Sequence, residues 1–352
     1  MKNFYSLKVK EVESLTSDSV KIVLENSFPE NFIFSAGQYI TIQKEINDVD
    51  VRRSYSLSSC PGEGIEIGVR RIENGVMSTF LTKELKKGDY LNVMPPTGNF
   101  SLALSCETSH YVAFCAGSGI TPIISMIKQV LNKDSESYFT LIYGNKTKSS
   151  MMFLEDLVRL ERDYQSQLFI HYVFSREDVI DCLKGRIDST MLQEILNNNS
   201  NLKEATSYFL CGPGEMINNV NQFLLDLGIN QSKINFEKFY TEELPKKDSK
   251  ENNDLVHDIL SNVTVSVDGD DFSFELSTNG KTILDAAMDA GADVPFSCKG
   301  GVCCVCKAKV IEGEVKMNNN FSLSGEEVAE GFVLGCQSHP VSENVIIDFD
   351  EM

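Results

Sequence analysis

The sequence lacks any apolar run long enough to cross a bilayer as a helix, and its start lacks the layout of a secretion signal. A membrane-spanning helix needs about 20 mostly apolar residues in a row, and a secretion signal needs a basic segment followed by an apolar one. The first fifteen residues instead mix charged and apolar side chains throughout. We therefore expect a cytoplasmic protein that does not insert into a membrane.

Positive charge is also scarce. Lys and Arg together number 32 against 51 Asp and Glu, which gives a formal net charge of −19. A nucleic-acid-binding surface needs a basic face, so this balance argues against nucleic acid as a partner. The acidic excess is concentrated in residues 259–352, where the net charge is −11. An acidic module of this kind suits docking to a basic patch on a partner protein, although solubility alone would explain it equally well.

Histidine is rare, and its four residues are scattered, with no pair at the helical spacing of a metal site. Cysteine, in contrast, occurs ten times. A reducing compartment disfavours structural disulfides, so clustered cysteines there more often bind metal or carry out redox chemistry. The cysteines are therefore the first candidates for a functional site.

A chain of 352 residues exceeds one ordinary hydrophobic core and predicts several domains. Residues 1–104 contain short alternating runs separated by turn residues, which indicates an antiparallel β-barrel or sandwich. Residues 105–240 alternate apolar strands with amphipathic stretches, which is typical of a doubly wound α/β domain. Residues 241–258 are too polar to build a core and predict a linker. Residues 259–352 read as strand, strand, helix, cysteine loop, strand, helix, strand, strand.

The cysteine loop, "FSCKGGVCCVCKAK", carries the most specific motif of the chain. The spacing C-x4-C-x2-C, with a further cysteine thirty residues later, matches the ligand pattern of plant-type [2Fe–2S] clusters. Structural zinc is the alternative, but it usually takes two tight cysteine pairs. We expect Cys304 to point away from the cluster. The predicted cluster ligands are Cys298, Cys303, Cys306 and Cys336.

This C-terminal module resembles a plant-type ferredoxin of β-grasp fold (α+β). Its two helices have recognisable starts in the sequence. Thr282 is a plausible N-cap of the first, and Ser324 with Glu327 forms a capping box at the second.

Two glycine loops follow predicted strands of the α/β domain. In "AGSGITP", Gly117 and Gly119 permit a tight turn close to a pyrophosphate, and Pro122 suits the first turn of a helix. The loop lacks the third glycine of the usual dinucleotide fingerprint, so on its own a structural turn fits it as well. The segment "CGPG" at 211–214 has the same layout, and such loops gather at the carboxyl ends of parallel strands.

The barrel contains two further polar segments. In "RRSYSLSS", strand alternation places Arg53 and Tyr55 on one face and Ser54 and Ser56 on the other. Taken alone, an ordinary exposed strand explains this segment equally well. The segment "NGVMSTF" offers a phosphate cradle at a helix start.

Together these motifs resemble the ferredoxin–NADP reductase superfamily, in which an FAD-binding barrel precedes a nicotinamide-binding α/β domain. The resemblance implies that Arg53 pairs with the flavin phosphates, Tyr55 packs on the flavin, and Ser56 lies near flavin N5. FAD rather than FMN rests on this likeness alone. The other implied cofactor residues are a flavin phosphate loop at Gly75, Val76, Met77, Ser78 and Thr79, a nicotinamide loop at Gly117, Ser118, Gly119, Thr121 and Pro122, and a nicotinamide-side segment at Cys211, Gly212 and Pro213. Ser56 and Cys211 are the expected catalytic positions.

The segment "FSRED" bears on the choice of nicotinamide. Ser175 and Arg176 follow the third strand of the α/β domain, where the resemblance places the 2′-phosphate of NADPH. Arginine suits a dianion because its hydrogen bonds are charge-assisted, and Lys146 in "YGNKT" could assist. An ordinary surface arginine is the alternative, so NADPH is favoured and NADH remains possible. Glu237 and Phe239 occupy the end of this domain, where related proteins often place a residue against the flavin.

The domain order resembles that of reductase subunits of bacterial multicomponent oxygenases, phenylacetyl-CoA epoxidase among them. This implies an oxidoreductase that passes electrons from NADPH through FAD to a [2Fe–2S] cluster and on to an oxygenase component in aromatic degradation. A haem oxygenase, a desaturase or another soluble iron protein would serve equally as acceptor. A redox sensor without turnover is the alternative from another functional class.

Overall fold

The computed structural model describes residues 4–133, 136–239 and 258–351, which form three units, each built on its own principal sheet. The predicted linker at 241–258 lies outside these described residues, apart from Asp258. Within the described ranges, none of the helices has both the length and the apolar character needed to span a membrane.

The first unit is a six-stranded antiparallel sheet, as the alternating runs predict. Its strands are paired in the order β4-β3-β6-β1-β2-β5, and a bridge between Leu57 and Ile67 joins the end of β4 to β5. This bridge closes the sheet into a barrel around an apolar core. Its elements are β1 (Tyr5–Thr16), β2 (Ser19–Leu24), β3 (Tyr39–Ile46), β4 (Val49–Ser56), β5 (Ile65–Arg70), α1 (Val76–Lys83) and β6 (Tyr90–Thr97).

The second unit is the predicted doubly wound α/β domain, a six-stranded parallel sheet with an apolar core on each face. Its elements are β7 (His110–Ala116), α2 (Ile120–Lys133), β8 (Tyr138–Asn145), α3 (Leu154–Asp163), β9 (Leu168–Phe174), β10 (Leu183–Lys184), α4 (Ser189–Asn198), β11 (Ser207–Cys211), α5 (Gly214–Asp226) and β12 (Ile234–Glu237). The strand order is β10-β9-β8-β7-β11-β12. The winding direction therefore reverses between β7 and β11, and ligands of such sheets bind at this switch point.

The third unit has a five-stranded mixed sheet in the order β14-β13-β19-β15-β17 and a two-stranded sheet of β16 and β18. Its elements are β13 (Leu260–Val267), β14 (Asp270–Ser277), α6 (Ile283–Asp289), β15 (Lys307–Glu312), β16 (Val315–Met317), α7 (Gly325–Ala329), β17 (Phe332–Leu334), β18 (Ser338–Pro340) and β19 (Asn344–Asp348). Apart from β16 and β18, the order of the elements is the one predicted. The pair β16 and β18 adds three-residue strands that are too short to show an alternating pattern in the sequence.

Both predicted helix starts in this unit are confirmed. The Thr282 hydroxyl accepts a hydrogen bond from the amide of Asp285 at the start of α6. Ser324 and Glu327 form the reciprocal capping box of α7. The helices flank the cysteine loop in sequence, and their fixed starts help to set its position.

Candidate functional site

The two glycine loops meet at the switch point of the α/β sheet. Cys115 and Cys211 are paired neighbours at the carboxyl ends of β7 and β11. A Cβ atom on Gly119 would lie 2.1 Å from the carbonyl oxygen of Cys211, and one on Gly212 would lie 2.8 Å from Met216 Cε. The backbone contact excludes a side chain at Gly119, whereas the flexible end of Met216 can move to admit one at Gly212. The helices α2 and α5 start side by side at an edge that suits an anion.

The first of these loops is held by side-chain hydrogen bonds to its carbonyls. Tyr143 Oη donates to the Gly117 carbonyl at 3.0 Å, and Thr121 Oγ1 donates to the Ser118 carbonyl at 3.0 Å. Gly117 itself has a φ of 58°, which glycine adopts at no steric cost. Pro122 is buried in the first turn of α2, as expected. The second loop contains Gly212 and Pro213, and Pro213 is the N-cap of α5.

Ser175 and Arg176 follow β9 at the same edge of the sheet. Their amides donate to the carbonyls of Asn145 and Lys146 at 2.9 Å each, which joins the loop after β9 to the loop after β8. The side chains of Arg176 and Lys146 are both exposed. The structure thus places two exposed cations on adjacent loops at the edge that also carries the glycine loops, an arrangement that suits an anionic group.

Strand β4 presents different chemistry on its two faces. Arg53 is exposed, and Tyr55 is half-buried against the barrel core on the same face. Arg53 Nη1 donates to the carbonyl of Arg52 at 2.7 Å. Burial raises the pKa of Tyr55, so its phenol stays neutral. Ser56 is buried and lies on the opposite face. The predicted alternation of this strand is therefore what the structure shows.

Three side chains from two domains come together where the barrel meets the α/β sheet. Ser56 Oγ donates to Glu237 Oε2 at 3.5 Å, and Glu237 is the paired neighbour of Cys211 across β12 and β11. Burial raises the pKa of Glu237 to about 8, against the smaller lowering effect of the Ser56 hydrogen bond. Burial first, and then Glu237, raises the pKa of the Cys211 thiol well above its usual value. At neutral pH the three side chains therefore present the hydroxyl of Ser56, the thiol of Cys211 and a carboxyl of Glu237 that mostly keeps its proton.

The predicted phosphate cradle lies at the start of α1. Ser78 Oγ accepts a hydrogen bond from the amide of Ile72 at 3.1 Å and donates to the carbonyl of Gly75 at 3.2 Å. A Cβ on Gly75 would lie 2.6 Å from this hydroxyl. Ser78 thus shapes the loop, and Met77 is buried beneath it. The backbone amides of the first helical turn, which includes Val76 and Thr79, are the groups that suit a phosphate.

The four candidate ligand cysteines lie together in the third unit. No group of three or more His, Cys, Asp or Glu side chains within the described ranges is spaced to hold a single metal ion. The sulfurs instead lie near one another: Cys303 Sγ is 3.1 Å from Cys298 Sγ, and the nearby Cys336 thiol lowers the pKa of Cys306. The neighbouring thiols of Cys303 and Cys336 lower the pKa of Cys298.

Backbone and side-chain amides also point at these sulfurs. The amide of Gly300 donates to Cys298 Sγ at 3.3 Å, and Gln337 Nε2 lies 3.6 Å from Cys336 Sγ. Four grouped thiols with N–H donors aimed at sulfur are a donor set that fits a [2Fe–2S] cluster. Cys304 points elsewhere, since its Sγ donates to the carbonyl of Ser322 at 3.3 Å, and burial raises its pKa to about 11.

The cysteine loop packs directly on the barrel. Cys303 and Val305 share a small apolar cluster with Tyr39 and Met94 of the barrel. We call this contact, together with the polar contacts that follow, the barrel–ferredoxin interface. All four of these side chains are buried.

Arg52 is the buried charge of the barrel–ferredoxin interface. Its guanidinium lies over the rings of Phe4 and Phe296, 5.3 Å and 4.6 Å from their centroids. It forms ion pairs with Asp50 at 2.9 Å and with Asp293 of the third unit at 3.3 Å. Arg52, Ser54 and Ser56 share one face of β4, so the strand turns this face to the ferredoxin side and the Arg53 face away from it.

Sequence reasoning gave little weight to Glu237 and none to Tyr39. Glu237 is 181 residues from Ser56, and Tyr39 Oη accepts a hydrogen bond from the amide of Cys304, 265 residues away. The only sequence signal for Glu237 is its position at the end of the last strand of the α/β domain.

Comparison with known proteins agrees with this arrangement. Three family models match: an oxidoreductase FAD-binding domain at residues 6–102, an oxidoreductase NAD-binding domain at 114–222, and a 2Fe-2S iron-sulfur cluster binding domain at 265–341. The chain is similar to a subunit of 1,2-phenylacetyl-CoA epoxidase from Escherichia coli, with 39% identity over 99% of each chain. It is also similar to the ferredoxin reductase component of 3-ketosteroid-9-alpha-monooxygenase from Rhodococcus rhodochrous, with 30% identity over 97% of this chain and 96% of that one.

Solved structures share the fold. Phthalate dioxygenase reductase matches with a TM-score of 0.61 and 23% identity over 98% of both chains. An intact type IV self-sufficient cytochrome P450 monooxygenase matches with a TM-score of 0.72 and 22% identity over 98% of this chain and 41% of that one. The protein is an oxidoreductase with FAD-binding, NAD-binding and [2Fe–2S]-binding domains. It belongs to the ferredoxin–NADP reductase superfamily, among the oxygenase reductase components that carry a C-terminal ferredoxin domain.

Proposed function

We propose that this chain passes electrons from NADPH through FAD to a [2Fe–2S] cluster and then to an oxygenase component. The contacts of the strand pair β3 and β4 support this proposal most. Ser56 on β4 is hydrogen-bonded to Glu237 of the α/β domain, and Tyr39 on β3 is hydrogen-bonded to the cysteine loop. A flavin supplies the chemistry that accepts a hydride and releases its electrons singly, which a one-electron cluster requires. The domains proposed for FAD, nicotinamide and cluster are residues 1–104, 105–240 and 259–352, with 241–258 as linker.

In this proposal the residues at the domain junction hold and orient the flavin and the nicotinamide, and they perform little acid–base chemistry. Arg53 and the first-turn amides of α1 hold the flavin phosphates, and Tyr55 packs against the flavin ring. Ser56 and Cys211 line the place where the nicotinamide meets the flavin. Glu237 keeps its proton at neutral pH, so it adds a hydrogen-bond donor there without adding a negative charge.

The preference for NADPH rests on Arg176 and on Ser175 beside it. Charge-assisted hydrogen bonds to a phosphate contribute about 1.5–3 kcal/mol each, so we expect Arg176→Ala to raise the KM for NADPH roughly tenfold or more. The KM for NADH should stay within about twofold. Arg159→Ala, which removes an exposed arginine from α3, is the matched control. Equal changes for both nicotinamides in the Arg176 variant would refute a 2′-phosphate site.

The electron acceptor is proposed to be an oxygenase component of the phenylacetyl-CoA epoxidase type. This follows from the full-length likeness to the Escherichia coli protein. Other iron proteins, such as a haem oxygenase or a desaturase, remain the alternative acceptors, and the exposed acidic surface of residues 259–352 would serve any of them that carries a basic patch.

Two assays test this proposal. The first follows NADPH oxidation coupled to product formation when the chain is mixed with a purified candidate oxygenase; coupling with one candidate and not with others identifies the acceptor. The second compares wild type with Cys336→Ser using ferricyanide, which a reduced flavin can reduce directly. We expect the variant to keep ferricyanide reduction and to lose oxygenase-coupled turnover. A wild-type protein that binds flavin but oxidises no nicotinamide would instead favour a redox sensor.

A further inference from the structure

Tyr39 is a buried aromatic residue at the start of β3, directly opposite Ser56 on β4. Its side chain is only 4% exposed. Gly98, with a φ of 121°, lies under the ring: a Cβ there would be 2.8 Å from Tyr39 Cε1. A glycine at this position leaves room for the ring and allows the backbone turn, so the phenol is held in one place.

The hydroxyl of this tyrosine contacts the cysteine loop between two candidate ligands. Tyr39 Oη accepts a hydrogen bond from the amide of Cys304 at 3.1 Å. Cys303 precedes this amide, and Cys306 follows two residues later. The ring packs on Cys303 and Val305.

The same residue also lies beside the serine that is proposed to contact the flavin. Directly opposed residues on antiparallel strands have their side chains on one face, so Tyr39 and Ser56 share a face. Ser56 in turn is hydrogen-bonded to Glu237. Tyr39 is therefore the cross-strand neighbour of Ser56, which is proposed to contact the flavin. Its hydroxyl is hydrogen-bonded to a backbone amide that lies between two candidate cluster ligands.

Other polar contacts across the barrel–ferredoxin interface join the two units without reaching the amide between the ligands. Ser54 Oγ lies 2.9 Å from Ser297 Oγ. Asn99 Nδ2 donates to the Ser322 carbonyl at 3.2 Å and to Glu327 Oε2 at 2.8 Å. These contacts lie elsewhere in the interface. Ser54 therefore offers a comparison in which one interface hydroxyl is removed while the Cys304 amide stays bonded.

We propose that Tyr39 is a positioning residue for electron transfer from flavin to cluster, because it fixes the cysteine loop against the strand that carries Ser56. This inference rests on the proposed function. In the reaction that Tyr39 serves, the hydride from NADPH delivers two electrons to the flavin. The electrons then move one at a time from the flavin to the cluster, where one ferric iron becomes ferrous. The proton stays with the flavin or leaves to solvent. The phenol is neither oxidised nor reduced.

The test compares wild type, Tyr39→Phe and Ser54→Ala as full-length, cofactor-loaded proteins in anaerobic stopped-flow mixing with excess NADPH. Flavin bleaching reports hydride transfer, and the electron paramagnetic resonance signal of freeze-quenched samples reports cluster reduction. Small errors in donor–acceptor geometry cost large factors in rate. We expect Tyr39→Phe to keep the flavin phase within about twofold and to slow the cluster phase roughly tenfold or more. Ser54→Ala should leave both phases within about twofold.

Hydrogen–deuterium exchange provides a readout independent of turnover. Loss of the phenol oxygen leaves the Cys304 amide without its acceptor. The peptide covering residues 299–307 should therefore take up deuterium faster in Tyr39→Phe than in wild type, and at the wild-type rate in Ser54→Ala. An unchanged cluster phase in Tyr39→Phe, or an equal slowing in Ser54→Ala, overturns the inference and leaves the proposed function intact. A wild type in which NADPH reduces flavin but never the cluster overturns both.

Discussion

At the scale of single residues, Glu237 is the group whose protonation is most informative. Its pKa is raised to about 8 by burial, whereas an unfolded glutamate releases its proton near pH 4.3. Between these values the folded protein binds a proton that the unfolded chain does not, so stability falls as pH rises from about 5 to 8.

The prediction is that Glu237→Gln flattens this part of the pH–stability curve. The thermal unfolding midpoint of wild type should fall more between pH 5.5 and 8.5 than that of the variant. Glu155→Gln, which changes an exposed carboxyl on α3, is the control for amide substitution in general. Parallel curves for wild type and Glu237→Gln would show that Glu237 is ionised like an ordinary surface carboxyl.

A second prediction separates ligand from non-ligand cysteines. Cys304→Ser should retain iron and acid-labile sulfide at wild-type levels, because a serine hydroxyl can keep the hydrogen bond to the Ser322 carbonyl. Cys336→Ser should lose most of both, because a [2Fe–2S] cluster needs four soft ligands. Iron analysis and the visible spectrum of the two purified variants check this. Loss of iron in Cys304→Ser would place Cys304 among the ligands.

What the sequence can predict at this scale depends on the distance between partners along the chain. The three cysteines of C-x4-C-x2-C lie within nine residues, so their spacing carries the cluster hypothesis by itself. Glu237 and Tyr39 derive their importance from partners 181 and 265 residues away. No local pattern encodes such pairings, because they depend on how separately folded units pack.

At the scale of elements, the glycine loops of the α/β domain make the sharpest prediction. A methyl group on Gly119 would lie 2.1 Å from the Cys211 carbonyl oxygen, and strand backbone cannot yield as a flexible side chain does. We expect Gly119→Ala to lower the free energy of unfolding by about 1–3 kcal/mol, as overpacking does, and to raise the KM for nicotinamide.

Gly325→Ala is the matched control, because a Cβ on Gly325 at the start of α7 meets nothing within 4 Å. Its urea midpoint and nicotinamide KM should equal those of wild type. A Gly119→Ala protein with unchanged stability and KM would mean that the two loops are not in contact in solution.

Element type was predictable where a periodic pattern extends over many residues or where a cap is local. The barrel strands and the strand–helix alternation are of the first kind, and the starts of α6 and α7 are of the second. The three-residue strands β16 and β18 could not be predicted in this way. Each is too short to show an alternating pattern and forms by pairing with a strand more than twenty residues away.

At the scale of the whole molecule, Arg52 connects the barrel to the ferredoxin unit. Its buried guanidinium lies over two aromatic rings and forms two ion pairs, but its partner Asp293 is exposed. Exposed ion pairs contribute little, whereas removal of a buried arginine also removes its packing against the two rings.

We therefore expect Asp293→Asn to leave the docked arrangement nearly unchanged and Arg52→Ala to loosen it. Small-angle X-ray scattering should show a larger radius of gyration for Arg52→Ala, and cluster reduction by NADPH should slow in the same variant. A compact Arg52→Ala protein with normal cluster reduction would show that the apolar contact around Tyr39 is sufficient for docking.

The order of the three domains could be predicted from the sequence, but their packing could not. Composition and periodicity identify each unit from its own residues, whereas the interface is formed by isolated side chains such as Tyr39, Arg52 and Ser54 in otherwise ordinary strands. The proposed path therefore depends on contacts that only the assembled structure reveals.

The most direct test of this path is an anaerobic titration of the full-length protein with NADPH, followed by visible absorbance and electron paramagnetic resonance. A flavin takes two electrons and a [2Fe–2S] cluster takes one. We predict that reduction ends at about one and a half equivalents of NADPH per chain, with the signal of a reduced cluster. An end point at about one equivalent, with a bleached flavin and no cluster signal, would contradict transfer from flavin to cluster.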